Sequence, residues 1–202
     1  MDARDTIKRA AELSRTDATA ALELFQSVAS DSANAPADKA EALFWVASIK
    51  RGKSNAREAI EDYNAVLALQ NLPIKARDEA MHSRGVTRND IGDFRGAIAD
   101  FTTVINWPDS TADYKARALI SRAGSRLEIR DPAGELADLN AAIAMEGALP
   151  DHRATALLQR AWIEHAKHNY VAARSDYQAA LSVPNISDRL KEEINVRMGT
   201  LP

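Results

Sequence analysis

Arginine and aspartate recur in this chain at a fixed interval. Arg84, Arg122 and Arg160 are evenly spaced, and Asp62, Asp100, Asp138 and Asp176 keep the same spacing. Two chemistries are open to such columns. A row of guanidinium groups could hold an anionic ligand. Alternatively, each arginine forks onto a carboxylate of a neighbouring element, as a partly buried arginine requires. The ion-pair ladder is the expectation, and it should set register more than it adds net stability. Val46 takes the arginine place one interval earlier, so Asp62 either pairs with Arg84 or stays free.

A second cluster is Glu164, His165 and His168, which lie within one helical turn. Histidines at i and i+3 can share a metal, but a third well-placed ligand is lacking. A solvated helix end is the expectation, and no metal site is assigned. The chain has no cysteine, which removes thiol nucleophiles, disulfides and cysteine-based zinc sites. It has no glycine-rich phosphate loop, no GxSxG elbow and no HExxH. The many carboxylates follow helix surfaces and caps. No catalytic residue and no cofactor is assigned, and the chain reads as a non-enzyme.

Composition narrows the classes further. The chain of 202 residues is 46% hydrophobic and 27% charged, which suits an ordered chain. Its formal net charge of −3 gives none of the basic excess of a nucleic-acid binder. No apolar run approaches the ~18 residues needed to span a bilayer, so no membrane insertion is expected. The opening segment MDARDTIKRA is too charged for a secretory signal, and a cytoplasmic protein is the default reading.

The elements that position these residues repeat in step with the ionic columns. Asp17, Asn55, Asp93, Asp131 and Asn169 share that spacing, each where a helix should begin. A short polar side chain there accepts a first-turn N–H bond worth ~1 kcal/mol. Asp131-Pro132 is the clearest case, and Asn55 with Glu58 resembles a capping box. Four residues behind the caps stand Ala21, Ala59, Ala97, Glu135 and Ala173; four further on stand Phe25, Tyr63, Phe101, Leu139 and Tyr177. Upstream of each cap lies another periodic helix, with a column of Leu43, Met81, Leu119 and Leu157. A second column, of Ala47, Gly85, Ala123 and Ala161, is always small. Small residues at a fixed place let two helices approach closely. Each repeat is therefore expected to be a helical hairpin, turning near Gly52, Gly92, Arg130 or His168. Pro73, Pro108, Pro150 and Pro184 mark the junctions, where proline should stop the preceding helix.

A fixed period of this kind marks one structural unit copied end to end. Ten helices in five hairpins are expected, plus an eleventh. Residues 1–36 form an atypical first repeat and 37–187 four regular ones. Residues 188–202 form either a capping helix or the start of a further repeat, with Leu190 and Ile194 restarting the pattern and Gly199 on the small column. The expectation is one elongated domain over 1–202.

Small residue, turn, polar cap, alanine, aromatic: this order resembles the tetratricopeptide repeat family. The segment SRGVTRNDIGDFRGAIADFTTVI, residues 83–105, carries the resemblance best and is similar to bacterial members. It covers about 37–187 well and 1–36 in part. The family period is usually about 34, against 38 here. The excess either adds a turn to the first helix of each hairpin or lengthens the junction. Related helical repeats with longer periods are the competing assignment. Glu135 departs from the expected alanine.

The resemblance implies an all-α, right-handed α-solenoid whose first helices line a concave groove for a protein or peptide partner. By that analogy the groove residues are Phe44, Trp45, Ser48, His82, Ser83, Val86, Asn89, Arg117, Ile120, Ser121, Leu158, Gln159, Trp162 and His165. Two tryptophans among scattered hydrogen-bonding groups suit an extended or helical peptide. The competing reading is that Trp45 and Trp162 only complete the packing of their own hairpins. Phe44, Ser48 and Ser83 stand where carboxylate-clamping relatives carry Lys and Asn, so that clamp is not expected. The alternative function is self-association, or assembly within a longer multidomain protein.

Overall fold

The computed structural model describes residues 2–52 and 55–202. Among them it contains eleven α-helices and no strand. The chain divides into two compact units, Met1–Thr103 and Val104–Pro202.

In the first unit lie α1 (Ala3–Leu13), α2 (Ala18–Ser30), α3 (Pro36–Gly52), α4 (Ala56–Leu67), α5 (Ile74–Asp90) and most of α6 (Phe94–Asn106). Successive helices α1 to α5 pack as neighbours, and α1, α3 and α5 also touch in series. The second unit holds the end of α6, then α7 (Ala112–Glu128), α8 (Pro132–Ala144), α9 (Pro150–Ala166), α10 (Tyr170–Leu181) and α11 (Asp188–Gly199). There α7 to α11 pack in chain order, and α7, α9 and α11 touch in series. Within each unit, then, hairpins stack through their first helices.

The first helix of each regular hairpin, α3, α5, α7 and α9, is 17 residues long. The second is 12 or 13. The asymmetry runs the same way in every repeat. It favours the longer first helix over the longer junction as the place for the extra length.

The helix starts follow the caps with one exception. Asp17 accepts from the amides of Thr19 and Ala20, Asp93 from Gly96, Asp131 from Gly134 and Asn169 from Ala172. Asn55 occupies the cap position but makes no side-chain cap bond. The expected box with Glu58 does not close, because Glu58 faces Lys50 instead, 3.7 Å from its Nζ. Proline also lies at the opposite end from that expected at two junctions, Pro73 being the N-cap residue of α5. Pro150 opens α9 at its first position, where a missing N–H costs nothing.

The small column is buried throughout: Ala47, Gly85, Ala123 and Ala161 all lie in the seam between the two helices of a hairpin. The large residues Phe25, Tyr63, Phe101, Leu139 and Tyr177 fill that seam and are almost completely removed from water. Each such side chain stabilises its hairpin by about 2 kcal/mol relative to exposure. Leu190 and Ile194 of α11 join the same kind of core with Tyr177 and Ala180. Gly199 does not join the small column, since it is exposed and nothing packs over it.

Turns and junctions carry devices that the helical pattern did not reveal. Gly92, Arg130 and His168, one repeat apart, all adopt left-handed backbone with φ of 79°, 60° and 60°. Only glycine takes that conformation without steric penalty. Gly52, by contrast, ends α3, and the corresponding Ser54 lies outside the described residues. Arg130→Gly should therefore stabilise the protein by about 0.5–1 kcal/mol. A urea titration would show it as a raised midpoint at constant slope. At the junctions, Leu149 N–H donates to Asp113 Oδ1 at 3.3 Å. One repeat later Ser187 N–H donates to Asp151 Oδ1 at 2.7 Å. A carboxylate near the start of one first helix thus fastens the start of the next.

Candidate functional site

The ionic columns are consumed by the fold. Arg84 forks onto Asp100 at 2.6 and 3.0 Å, Arg122 onto Asp138 at 2.6 and 2.9 Å, and Arg160 onto Asp176 at 2.6 and 2.8 Å. Each pair ties the two helices of one hairpin. Arg84 Nη1 also donates to Asn64 Oδ1, and Arg160 Nη1 to Asn140 Oδ1, both at 2.6 Å, reaching the preceding hairpin. Planar fork geometry makes arginine the suitable cation here. An anion-binding row of free guanidiniums is not what these residues form.

A second cation column was missed from the sequence. Arg88 meets Asp100 at 2.8 Å and Arg126 meets Asp138 at 3.0 Å, so two carboxylates are each held by two arginines. Lys50 stands at the same place and pairs with Asp62 at 2.7 Å. Asp62 therefore neither stays free nor turns to Arg84. Lys50, Arg88 and Arg126 keep the repeat spacing, so the signal was present. In the fifth repeat the place falls to Glu164, which accepts from Lys167 at 3.0 Å and Asn169 at 2.8 Å. Those two donors hold its carboxyl below the ordinary range. His168 Nδ1 lies 2.8 Å from the Tyr170 hydroxyl, and His165 sits edge-on to the Tyr170 ring. The three residues of the metal candidate thus have other partners.

The expected groove residues separate into distinct environments. In the first unit, Phe44 and Trp45 line an open cleft of about 420 Å³ with Ala40 and Glu41 of α3 and Ala76 and Glu79 of α5. Trp45 is also stacked on Phe25 at 5.6 Å, nearly parallel, and so serves its hairpin core as well. Ser48 donates to the Phe44 carbonyl at 2.9 Å. His82 is buried and tilts against Phe101, while Ser83, Val86 and Asn89 are half-buried along α5.

In the second unit, Leu158, Gln159 and Trp162 of α9 line a cleft of about 310 Å³. Thr155 of α9, Gly124 and Leu127 of α7, Glu135 of α8, and Leu190, Glu193 and Arg197 of α11 complete it. Trp162 is 47% exposed, unusual for a ring of this size. Arg117 and Ser121 are half-buried on α7, with the Arg117 guanidinium over the Tyr114 ring, and Ile120 is buried core. Phe44 with Trp45, and Leu158 with Gln159 and Trp162, are the groups that the fold gathers around cavities.

Glu135, in sequence only a departure from the alanine column, is a residue of this second cleft. It occupies the buried alanine column, yet it also lines the cleft. Burial pushes its carboxyl above the ordinary range, opposed by the charge of Lys167. The first turn of α8 also favours a negative charge by at most about 1 kcal/mol. Desolvation by burial outweighs the Lys167 charge.

Glu135→Ala should therefore stabilise the protein at neutral pH, by about 1 kcal/mol, as restoring a repeat's own consensus residue commonly does. The sign follows from linkage. A carboxyl whose folded value is raised binds more protons in the native state. The stability of the parent protein then falls as pH rises from the ordinary carboxylate value through the raised one. The advantage of the alanine variant should appear in that window and be complete at neutral pH. Thermal unfolding of both proteins from acid to neutral pH checks it, and parallel curves would contradict the assignment.

No protein-family model matches the chain, and no curated protein matches it. Solved structures do. pilF of Pseudomonas aeruginosa superposes with a TM-score of 0.70 at 16% identity, over 98% of this chain and 83% of that one. BtubC from P. vanneervenii gives 0.66 at 12%, over 98% and 80%. A thermophilic TPR protein from Thermus thermophilus gives 0.59 at 17%, over 96% and 98%. Helical throughout, hairpin stacked on hairpin within each unit, this chain has the tetratricopeptide-type fold.

Proposed function

We propose that the protein is an interaction scaffold that binds a peptide or a segment of a partner protein through clefts lined by its first helices. The exposed Trp162 carries this reading. A tryptophan left half in water beside a cleft keeps a large apolar surface available to a partner. Such rings are the residues that most often dominate protein interfaces. Phe44 and Trp45 offer a comparable surface in the first unit. Preformed helices present these surfaces without reordering, so the partner segment alone bears the ordering cost. A non-catalytic role agrees with the engagement of the side chains best suited to chemistry. The ladder aspartates, Glu164 and His168 are engaged in bonds within the fold.

The test is selection of peptides from a displayed random library against the intact protein, followed by Trp162→Ala and Phe44→Ala. Binding of selected peptides should weaken by more than about 1 kcal/mol in at least one variant. The melting temperature of Trp162→Ala should stay within about 2 °C of the parent. Failure to enrich any peptide, or binding indifferent to both substitutions, would defeat the reading. A second reading, self-association, draws on Val171 and Val196, both well exposed on α10 and α11. It requires a mass that rises with concentration in light scattering.

A further inference from the structure

We propose that the cleft of the second unit receives a basic side chain of the partner, lysine or arginine, with its aliphatic stem against Trp162 and its cation at the Glu135 carboxylate. This rests on the scaffold reading and names the partner chemistry of that site.

Three observations converge. Glu135 keeps only 7% exposure, and it borders the cleft. Among the described residues no cation pairs with it. Lys167, whose charge reaches it, is bonded to Glu164 at 3.0 Å. A buried carboxylate without a partner is costly, and a cation from outside would supply what the fold does not. Trp162 stands on the same cleft and is 47% exposed. The face of an indole attracts a cation, most strongly where water is excluded. Leu127 and Leu158 furnish apolar wall, the surface along which the methylene stem of lysine or arginine lies. Arg197, the cation on the rim, is already committed to Glu193 through Nε and Nη2 at 3.2 and 3.0 Å. The volume of about 310 Å³ accommodates one side chain. The first-unit cleft has aromatic wall as well, but no buried carboxylate among the residues that line it.

The experiment follows the Trp162 indole N–H resonance, identified by its loss in Trp162→Phe. The intact protein is titrated with N-acetyl-lysine amide, N-acetyl-arginine amide and N-acetyl-norleucine amide. A saturable shift is expected with lysine or arginine, and binding at least tenfold weaker with norleucine, which has a similar stem and no charge. Glu135→Gln and Glu135→Ala should each weaken the cationic response at least tenfold. Both variants are confirmed folded by their melting curves.

Equal binding of norleucine would overturn the proposal in favour of a purely apolar cleft. So would a lysine response unchanged in Glu135→Gln, or no saturable shift up to about 50 mM of either cation. The scaffold reading fails separately. Selected peptides that bind through Trp162 but contain no lysine or arginine would leave it standing and sink this inference. A lysine response without any selected peptide would do the reverse.

Discussion

Asp138→Ala should lower the free energy of unfolding by about 3 kcal/mol. The Asp138 side chain is 4% exposed and receives Arg122 at 2.6 Å and Arg126 at 3.0 Å. Removing one partner of a buried ion pair typically costs about 3–5 kcal/mol, because the remaining charge is left desolvated. Here the arginine side chains keep 13% and 22% exposure, so water recovers part of the loss and the lower end is expected. The ladder also predicts an order. Asp176, with one arginine and 12% side-chain exposure, should matter less than Asp138. Asp62, with a lysine and 18% exposure, should matter least, at about 1 kcal/mol. Urea midpoints at unchanged slope measure all three. Equal losses across the series would contradict the ladder as the cause.

Phe101→Ala should cost about 4 kcal/mol, the usual range for a fully buried phenylalanine being about 3–5. The ring is 0% exposed and tilts against His82 with centroids 5.3 Å apart. It also lies where a Cβ on Gly85 would meet it, at 2.7 to 3.1 Å from three ring carbons. That contact makes a coupled prediction. Gly85→Ala alone should destabilise, because crowding a packed ring costs about 1–3 kcal/mol and outweighs a helix gain near 1. In a Phe101→Leu background the same alanine should become neutral or favourable, as Ala123 already sits in one seam with Leu139. A double-mutant cycle reads the coupling directly. Additive effects would show that glycine is not there for the ring.

The architecture was legible because one pattern is repeated many times. Caps, small column and large column each recur with the same period, and any one of them predicts the hairpin. Pairing was legible where both columns were noticed, as for Arg84 with Asp100. It failed at Asp62, because Lys50 sits one helical turn beyond the arginine column and was not aligned with Arg88 and Arg126. The left-handed turns were half legible. Glycine announces such a turn at Gly92, whereas Arg130 and His168 adopt it without any local signal. The clefts were least legible. Trp45 and Trp162 look alike in sequence, yet one stacks on Phe25 and the other is left about half exposed on a cleft. Which of two similar rings is covered depends on neighbours from other repeats, and that information is not local. Glu135 shows the same limit. A misfit in a periodic column marks where a repeat departs from its siblings without saying toward what.

Six cations of the ladder, Lys50, Arg84, Arg88, Arg122, Arg126 and Arg160, neutralise four aspartates. These ten groups together therefore carry a charge of +2. With a formal net charge of −3 for the whole chain, the remaining charged groups together carry −5. Away from the ladder, the surface is therefore more acidic than the composition suggests. Encounter with a basic visitor is hastened by that field at low ionic strength, and dissolved electrolyte over a Debye length of about 8 Å in physiological salt blunts it.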